Sequence, residues 1–530
     1  MRILNFIFFF VIAGVVFAQN EGQSIELPDF VITGVRNVDI PTMAKKRPEL
    51  IPVVNKTFFN PVYSPEQLDL ATFSNPIARE NKLFSDSSYY SGLLKVGVGR
   101  YSLPVGSLNL SISQPFYLMD ASVWGSNIGE YVDNAGYNVS GAKLSNNFFV
   151  SSESGFLPGS RISLTGYYYR DSYKFYGASF DQGQKRETEN GQISFGIRNT
   201  LNSLFKMGGE LSANIMNIKD ANIKDNNYVA KAFAEFGIRK ISLFVNAQFH
   251  RQEYKNDLPG QQNYNFFDGS AYVKVSPASN LNGKFGLYTF LADGSSYFSP
   301  SLMMDVGIND RLSLSASLMP YVKPVTVTDM QHNNRYMDFR LRGSFNTKDK
   351  INFNTSLVYQ YNKYFEIDAS FGYSLFDSYV YYEDYFFGGR FYPFTIDDVK
   401  KLSGNIRLLF HPGPSGMFYS NITFQSVKNA DGMFVPYQPQ FLGSLVYAYD
   451  FDSGIGFKVN YTLKMKTYTD LTNLNELSNY HDLSVSGYYE LMKNLNFTVS
   501  FENLFNRDNY LLKNYLEKPF DVVVGAEYRW

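Results

Sequence analysis

The chain has 530 residues, with 48 Lys and Arg against 49 Asp and Glu, a formal net charge of −1, no Cys, and 48 Phe and 41 Tyr beside only two Trp. Near-neutrality supplies no field for a polyanion, so nucleic acid is excluded as a partner, and the lack of Cys excludes disulfides and thiolate metal sites. A slightly negative mean hydropathy excludes a bundle of helical membrane spans; so many aromatic side chains in such a chain fit surfaces that are apolar on one side and wet on the other.

Residues 1–18 read as a signal peptide. Arg2 precedes a run without acidic or basic residues from Ile3 to Phe17, and Val16-Phe17-Ala18 offers small residues for cleavage after Ala18. The run is shorter than the roughly 20 apolar residues of a helical span and gives way at once to Gln19, Asn20, Glu21 and Gly22. Residues 19–88 carry Pro28, Pro41, Pro48, Pro52, Pro61, Pro65 and Pro76 with little sustained alternation. Proline at that density removes ladder donors, so an irregular lead segment is expected, placed in the periplasm or in a lumen.

From residue 89 onward, period-two alternation recurs almost to the last residue. Leu108, Leu110 and Ile112 alternate with Asn109, Ser111 and Ser113; Leu312, Leu314, Ala316 and Leu318 alternate with Ser313, Ser315 and Ser317; Leu495, Phe497, Val499 and Phe501 alternate with Asn496, Thr498, Ser500 and Glu502. A soluble sandwich also alternates, but runs of about 10 to 14 residues suit a tilted bilayer crossing better than a soluble strand of 5 or 6. Short joints such as Ser102–Gly106, Ser276–Asn280, Asn309–Asp310, His411–Ser415, Phe451–Gly454 and Leu491–Asn494 are interleaved with longer ones, the asymmetry of an outer-membrane barrel. The expected fold is all-β: a closed, antiparallel transmembrane barrel of about 22 strands (20 to 24) over residues 89–530, embedded in outer-membrane lipid. Placing every short joint at the periplasmic rim makes both the final strand and the run from Tyr90 to Tyr101 point inward. That leaves an odd strand, so either one more lies upstream near Lys56–Tyr63 or a joint is misread.

Four histidines, His250, His332, His411 and His481, form no metal-spaced pair, no Gly-rich loop opens a helix, and no convincing helix is present. Neither catalysis nor a metal or cofactor is expected, and His411 is expected to serve a turn. The most unusual stretch runs from Tyr379 to Phe394; Tyr379, Tyr381, Tyr382, Tyr385, Phe386, Phe387 and Arg390 in it form a candidate extracellular binding loop for a solute or partner. The plainer reading is a strand pair projecting beyond the membrane with its aromatic girdle. Ser126–Asn138 is expected to be a solvated external loop. At this strand number an empty lumen is wide enough for an aqueous path, so the lead segment or the loops must fold inward.

The final strand sets Phe520, Val522, Val524, Ala526, Tyr528 and Trp530 against Asp521, Gly525, Glu527 and Arg529. Its aromatic end, Tyr528 and Trp530, resembles the signal by which the barrel-assembly machinery recognises its clients. Ile25 to Arg36 (IELPDFVITGVR), with Phe30, Val31, Ile32 and Thr33, and Glu502 to Tyr510 (ENLFNRDNY) before the closing strand resemble the TonB box and the closing hairpin of TonB-dependent receptors. The resemblance implies a solute bound at or moved across the outer membrane, and a lead segment that contacts TonB or another periplasmic protein. The chain departs from that family between Arg36 and Tyr89, where about fifty residues stand in place of a plug well over twice as long, so a reduced or missing plug is expected. A structural or assembly barrel holding a surface partner, and a passive porin, remain as alternatives.

Overall fold

The computed structural model describes residues 91–530 apart from 156, 181, 200–203, 239, 257–261, 293–294, 340–344, 363, 387, 412–415 and 452. The expected signal peptide, the lead segment with Phe30, Val31, Ile32 and Thr33, the Lys56–Tyr63 run and Phe387 lie outside the described residues.

Residues 92–529 form one antiparallel barrel. Each stave pairs with its sequence neighbours, and the first, Gly92–Gly99, pairs with both Ser102–Gln114 and the last, Asp521–Arg529, so the ring closes. The 24 hydrogen-bonded segments make 22 staves. Two staves are interrupted: Leu312–Leu318 and Tyr321–Pro324 both pair with Asn346–Asn362, and Tyr392–Ile396 and Val399–Phe410 both pair with Phe365–Glu383. The first break falls at Pro320, which has no N–H to give the ladder. The second falls at Asp398, whose φ of 54° bends the chain. Closure leaves no unpaired edge, the condition for strands to cross hydrocarbon, where an unsatisfied backbone group costs several kcal/mol.

Why these sequences make staves is visible in the side chains. Phe497 and Phe501 are exposed while Asn496 is buried, and Val524 and Tyr528 are exposed while Asp521 and Glu527 are buried. The apolar rows therefore face outward and the polar rows inward, the inverse of a soluble domain and the arrangement of a lipid-facing cylinder with a wet interior. On the inward face Asp368 pairs with Arg407, and Asn405 bonds to Asn421 and Thr423 across neighbouring staves.

The seam between the chain's two ends is fastened at both rims. At the C-terminal rim Ser91 N–H donates to Trp530 O at 2.7 Å, and the indole lies so close over Gly92 that a Cβ there would collide with it. At the opposite rim the buried Asp521 carboxylate accepts from Arg100 N (2.9 Å), Tyr101 N (3.3 Å), Ser102 Oγ (2.8 Å) and Lys518 Nζ (3.0 Å).

That clamp corrects the reading of Ser102–Gly106 as a joint at the C-terminal rim. The turn is Arg100–Tyr101, at the opposite rim, and Ser102–Gly106 belongs to the second stave, with Pro104 absorbed at a register shift between Ser102 and Val105. The first stave therefore runs away from the C-terminal rim, the strand number is even, and closure of Gly92–Gly99 on the last stave needs no strand upstream. A second correction concerns helix: Val327–Asn333 is a short helix, started by Thr326, whose side chain accepts from Asp329 N while the Asp329 carboxylate accepts from Thr326 N.

Candidate functional site

The two rims differ. At the C-terminal rim the joints include residues 115–116, 279–280, 310–311 and 493–494; at the opposite rim they include 129–136, 175–184, 325–345, 384–391, 429–440, 466–479 and 503–520. Longer joints carry apolar side chains that have no lipid to face, and at this loop-rich rim they converge. Ala135, Phe175, Val327, Met337, Phe339, Phe391, Tyr437 and Tyr515, from six different loops, share one buried cluster with Tyr173, Met216, Ile218, Ile223 and Tyr254 at the stave ends. The rings interlock: Tyr336 stacks on Tyr515 at 3.6 Å, and Tyr176 meets both of them edge to face.

Loop 325–345 is the centrepiece. Its described residues, 325–339 and 345, leave the thirteenth stave, and residues 327–339 fold against the fifth to ninth, Ser160 to Lys255, so that they cross the mouth rather than rise from it. Its anchors are backbone groups met by buried inward-facing side chains. Arg186 donates to Met337 O at 2.5 Å, Tyr254 OH donates to Phe339 O at 2.6 Å, Tyr173 OH donates to Arg335 O, and Val327 N donates to Asp225 Oδ2 at 3.1 Å. Thr328 Oγ1 bonds Asn214 Oδ1 at 3.0 Å, and Gln331 Nε2 bonds Tyr173 OH at 2.8 Å. A loop with this many buried polar anchors is held in one conformation, because each anchor would be unsatisfied if the loop withdrew without water replacing it.

Charge is concentrated in the same cap. Phe175 is fully buried between two guanidinium groups, Arg186 at 4.6 Å and Arg390 at 4.4 Å from its ring centre. Arg186 pairs with Asp220 at 3.2 Å and Arg390 with Asp338 at 3.6 Å. Arg335 lies over the rings of Tyr137 and Tyr173 and 3.6 Å from Asp171. Burial pushes the carboxyl of Asp384 above its ordinary range, against the pull of Gly389 N–H and Gly388 N–H, and does the same to Glu517 against Arg335 and Lys464. Burial also pushes the Tyr131 phenol up to about 12.

The structure divides the candidate loop. Tyr379, Tyr381 and Tyr382 lie at the end of the Phe365–Glu383 stave, paired with Tyr392–Ile396, and its 19 residues far exceed the roughly 10 needed to cross a bilayer, so the hairpin is long enough to project beyond one. Tyr379 meets Phe376 edge to face at 4.9 Å, Tyr381 is buried beside Phe394, and Tyr382 stacks on Tyr437 at 5.2 Å. Arg390 is buried under Phe175. Of the described members, Tyr385 and Phe386 alone are exposed, at 57% and 59%, packed edge to face on each other at 5.2 Å. Phe180, 75% exposed, approaches the same tip through Gly388. Most of the described stretch is thus packed into the hairpin and the cap, and its aromatic tip is exposed.

At the other rim Tyr528 and Trp530 stack at 5.6 Å and are both exposed on the outward face. The histidines are scattered: His250 faces inward beside Asn227, His332 sits on the short helix, His411 N–H donates to Tyr364 O in the joint, and His481 bonds Tyr461. No three of His, Asp or Glu stand at metal-binding distance among the described residues. Glu130 in the Ser126–Asn138 segment pairs with Lys174 at 2.9 Å. Loop 325–345 escaped sequence reasoning; the Thr326-x-x-Asp329 cap was the local signal for it.

No family model and no curated protein matches this chain in sequence. Solved structures match it in fold. A mutant of the ferric enterobactin receptor PfeA from Pseudomonas aeruginosa superposes with a TM-score of 0.63 at 11% identity, over 83% of this chain and 80% of that one. The ferric-catecholate import receptor Fiu from E. coli K12 gives 0.62 at 12% identity, over 83% and 82%. The copper transporter OprC gives 0.63 at 10% identity, over 83% and 80%. The likeness is one of architecture, and what it establishes is the fold: the closed 22-strand barrel of the TonB-dependent receptors.

Proposed function

We propose that this chain is an outer-membrane receptor-type transporter whose loop-rich rim faces outward, whose cap of loops recognises a solute, and whose loop 325–345 is the element that must withdraw for passage. The observation that carries the reading is the 22-strand ring with exposed apolar rows, polar inward rows and a mouth crossed by a buried, side-chain-anchored loop. A barrel of this size is wide enough to conduct unless something occupies it, and the cap is a filling the chain supplies itself. Contact with the solute falls to Tyr385, Phe386 and Phe180 at the tip, backed by the Arg390 and Arg186 guanidiniums around Phe175. Phe30, Val31, Ile32 and Thr33 are proposed to add as an edge strand to TonB or another periplasmic protein, which would supply the energy. Tyr528 and Trp530 are proposed to be read by the barrel-assembly machinery.

The neighbours in fold direct the first probes, ferric catecholates and copper. Cells carrying the chain should accumulate one labelled solute of such a panel, and deleting Ile25–Arg36 should abolish accumulation at unchanged barrel abundance. Uptake that survives the deletion contradicts coupling. The exposed aromatic tip also favours a second reading, a platform for a surface partner. Stoichiometric co-purification of one protein, lost in Tyr385→Ala/Phe386→Ala and unaccompanied by any uptake, would support that reading over the first.

A further inference from the structure

Closure removes the free edge strands of an open sheet, yet one ladder inside the ring stops short, between the twelfth stave, Ser295–Asn309, and the thirteenth. Their pairing climbs from the joint at 310–311 to Leu302 and Leu318 and ends there, whereas on its other side the twelfth stave stays paired with Leu281–Ala292 as far as Ser295. The cause is in the sequence. Met319 N–H donates to Asn352 O, towards the fourteenth stave, and Gly307 N–H donates to Asn280 O, towards the eleventh, so by alternation Leu318 and Leu302 form a hydrogen-bonded pair with each other. Two residues on, the same register sets Pro320 against Pro300, and neither has an N–H to exchange. The 7 residues of Leu312–Leu318, at about 3.4 Å each and a tilt near 40°, climb only about 18 Å of the roughly 30 Å of a hydrocarbon core. The break therefore falls at the depth of the leaflet nearer the loop-rich rim.

Side chains bridge it where the backbone does not. Tyr288 OH donates to Val322 O and accepts from Val322 N–H, both at 3.2 Å, satisfying groups that the register would have given to Phe298. Tyr297 reaches across to the fourteenth stave, its hydroxyl donating to Lys350 O at 3.5 Å with Lys348 Nζ 4.9 Å from its ring centre. On the lipid side Phe298 is 70% exposed, above Leu302 and Met304. On the lumen side Phe266, Tyr288, Phe290 and Val322 form a buried apolar cluster, although inward rows in this barrel are otherwise largely polar. Beside it the Ser301 Oγ and the Oδ1 atoms of Asn346 and Asp349 are buried with no hydrogen-bond partner among the described residues.

We propose that this break is a lateral doorway through the wall, and that it admits an aliphatic amphiphile with a long chain and a hydrogen-bond-donating head, a hydroxyl or an amine, between the lumen mouth and the outer leaflet. Apolar side chains on both sides of the break keep the chain out of water along its path. The unpartnered oxygens at the inner lip all accept, so a donating head satisfies them, which an ionised carboxylate cannot do. A partner's strand fits the break poorly, because Pro300 removes a donor from the open edge and Tyr288 already holds Val322. The inference rests on the proposed membrane placement with the loop-rich rim outward.

The test uses the full-length protein in phosphatidylcholine liposomes with hexadecanol carrying a diazirine on its chain, the labelled residues being read by mass spectrometry after irradiation. Wild type should be labelled at the lumen-side Phe266, Phe290 and Val322 as well as at Phe298 and Leu302, and palmitic acid carrying the same diazirine should label the lumen-side residues about tenfold less, a difference of about 1.4 kcal/mol. Pro300→Val/Pro320→Val restores both N–H donors and should cut lumen-side labelling about tenfold while Leu302 and Met304 stay labelled. Tyr288→Phe, which keeps the ring but frees Val322, should raise it. Label confined to lipid-side residues overturns the doorway, and so does lumen-side label that neither variant alters. Equal lumen-side labelling by the acid overturns the assignment of the head. Lipid-side label alone leaves the transporter reading standing, whereas a chain labelled nowhere does not sit in lipid and removes both.

Discussion

Single residues at the loop-rich rim show how little slack the cap has. Gly389 has a φ of 73°, and a Cβ there would fall inside contact distance of the Gly177 carbonyl oxygen, so two loops touch backbone to backbone. Gly389→Ala is expected to destabilise the cap by about 1–3 kcal/mol, read as faster proteolysis of loop 384–391 with the barrel intact. Arg186→Ala removes a buried charge from Asp220, the bond to Met337 O and one face of the Phe175 sandwich. Its expected cost is about 3 kcal/mol, measured as thermal unfolding of the loops by amide exchange. Protonation enters through Asp384 and Glu517, whose carboxyls burial holds above their ordinary values of 3.8 and 4.5. An acid whose folded pKa exceeds its unfolded one favours the folded state when protonated, so its contribution is complete below those values and is lost as pH rises through the raised ones. Amide protection of loops 384–391 and 503–520 should therefore be greater in mild acid than at neutral pH, and Asp384→Asn should flatten the difference. Asp470 acts oppositely: burial raises its carboxyl, but bonds from Thr472 and Asn475 prevail and lower it, so its contribution is lost only below the ordinary carboxylate range.

Loop 325–345 behaves as a separate element laid on the wall, and its attachment is testable because the chain has no Cys of its own. Thr328→Cys with Asn214→Cys, at a contact of 3.0 Å in the native pair, should form a disulfide that arrests passage when oxidised and restores it when reduced. Transport indifferent to the oxidation state would mean that the loop need not move. Elements also show where local pattern suffices. The stave Leu495–Glu502 was legible because a lipid-facing strand needs only period two, and its polar residues point inward as expected. The turn at Arg100–Tyr101 was not, because its donors are satisfied by Asp521, about 420 residues away in sequence, and because Pro104 and Gly106 imitate a turn inside a stave. The aromatic hairpin from Tyr379 to Phe394 was legible as a hairpin. Which of its rings are buried was not, since Phe175, Tyr437 and Arg186 come from loops and staves elsewhere in the chain.

For the whole molecule, closure is decided where the first and last staves meet. Gly92 makes room for Trp530 at one rim and Asp521 gathers four donors at the other, while Lys95 and Glu527 pair between them at 2.7 Å. Gly92→Val would force the indole off the seam and is expected to lower the yield of folded, heat-resistant barrel on gel electrophoresis. The even ring and the inverted polarity of its faces are those of a lipid-facing cylinder, and the proposal is that the converging loops close it. Single-channel recording across a planar lipid bilayer tests that claim most directly. The full-length chain should insert and remain non-conducting, and a variant with Val327–Phe339 replaced by a short Gly-Ser linker should open in discrete steps. Large unselective conductance from the unaltered chain, or a silent deletion variant, would contradict it.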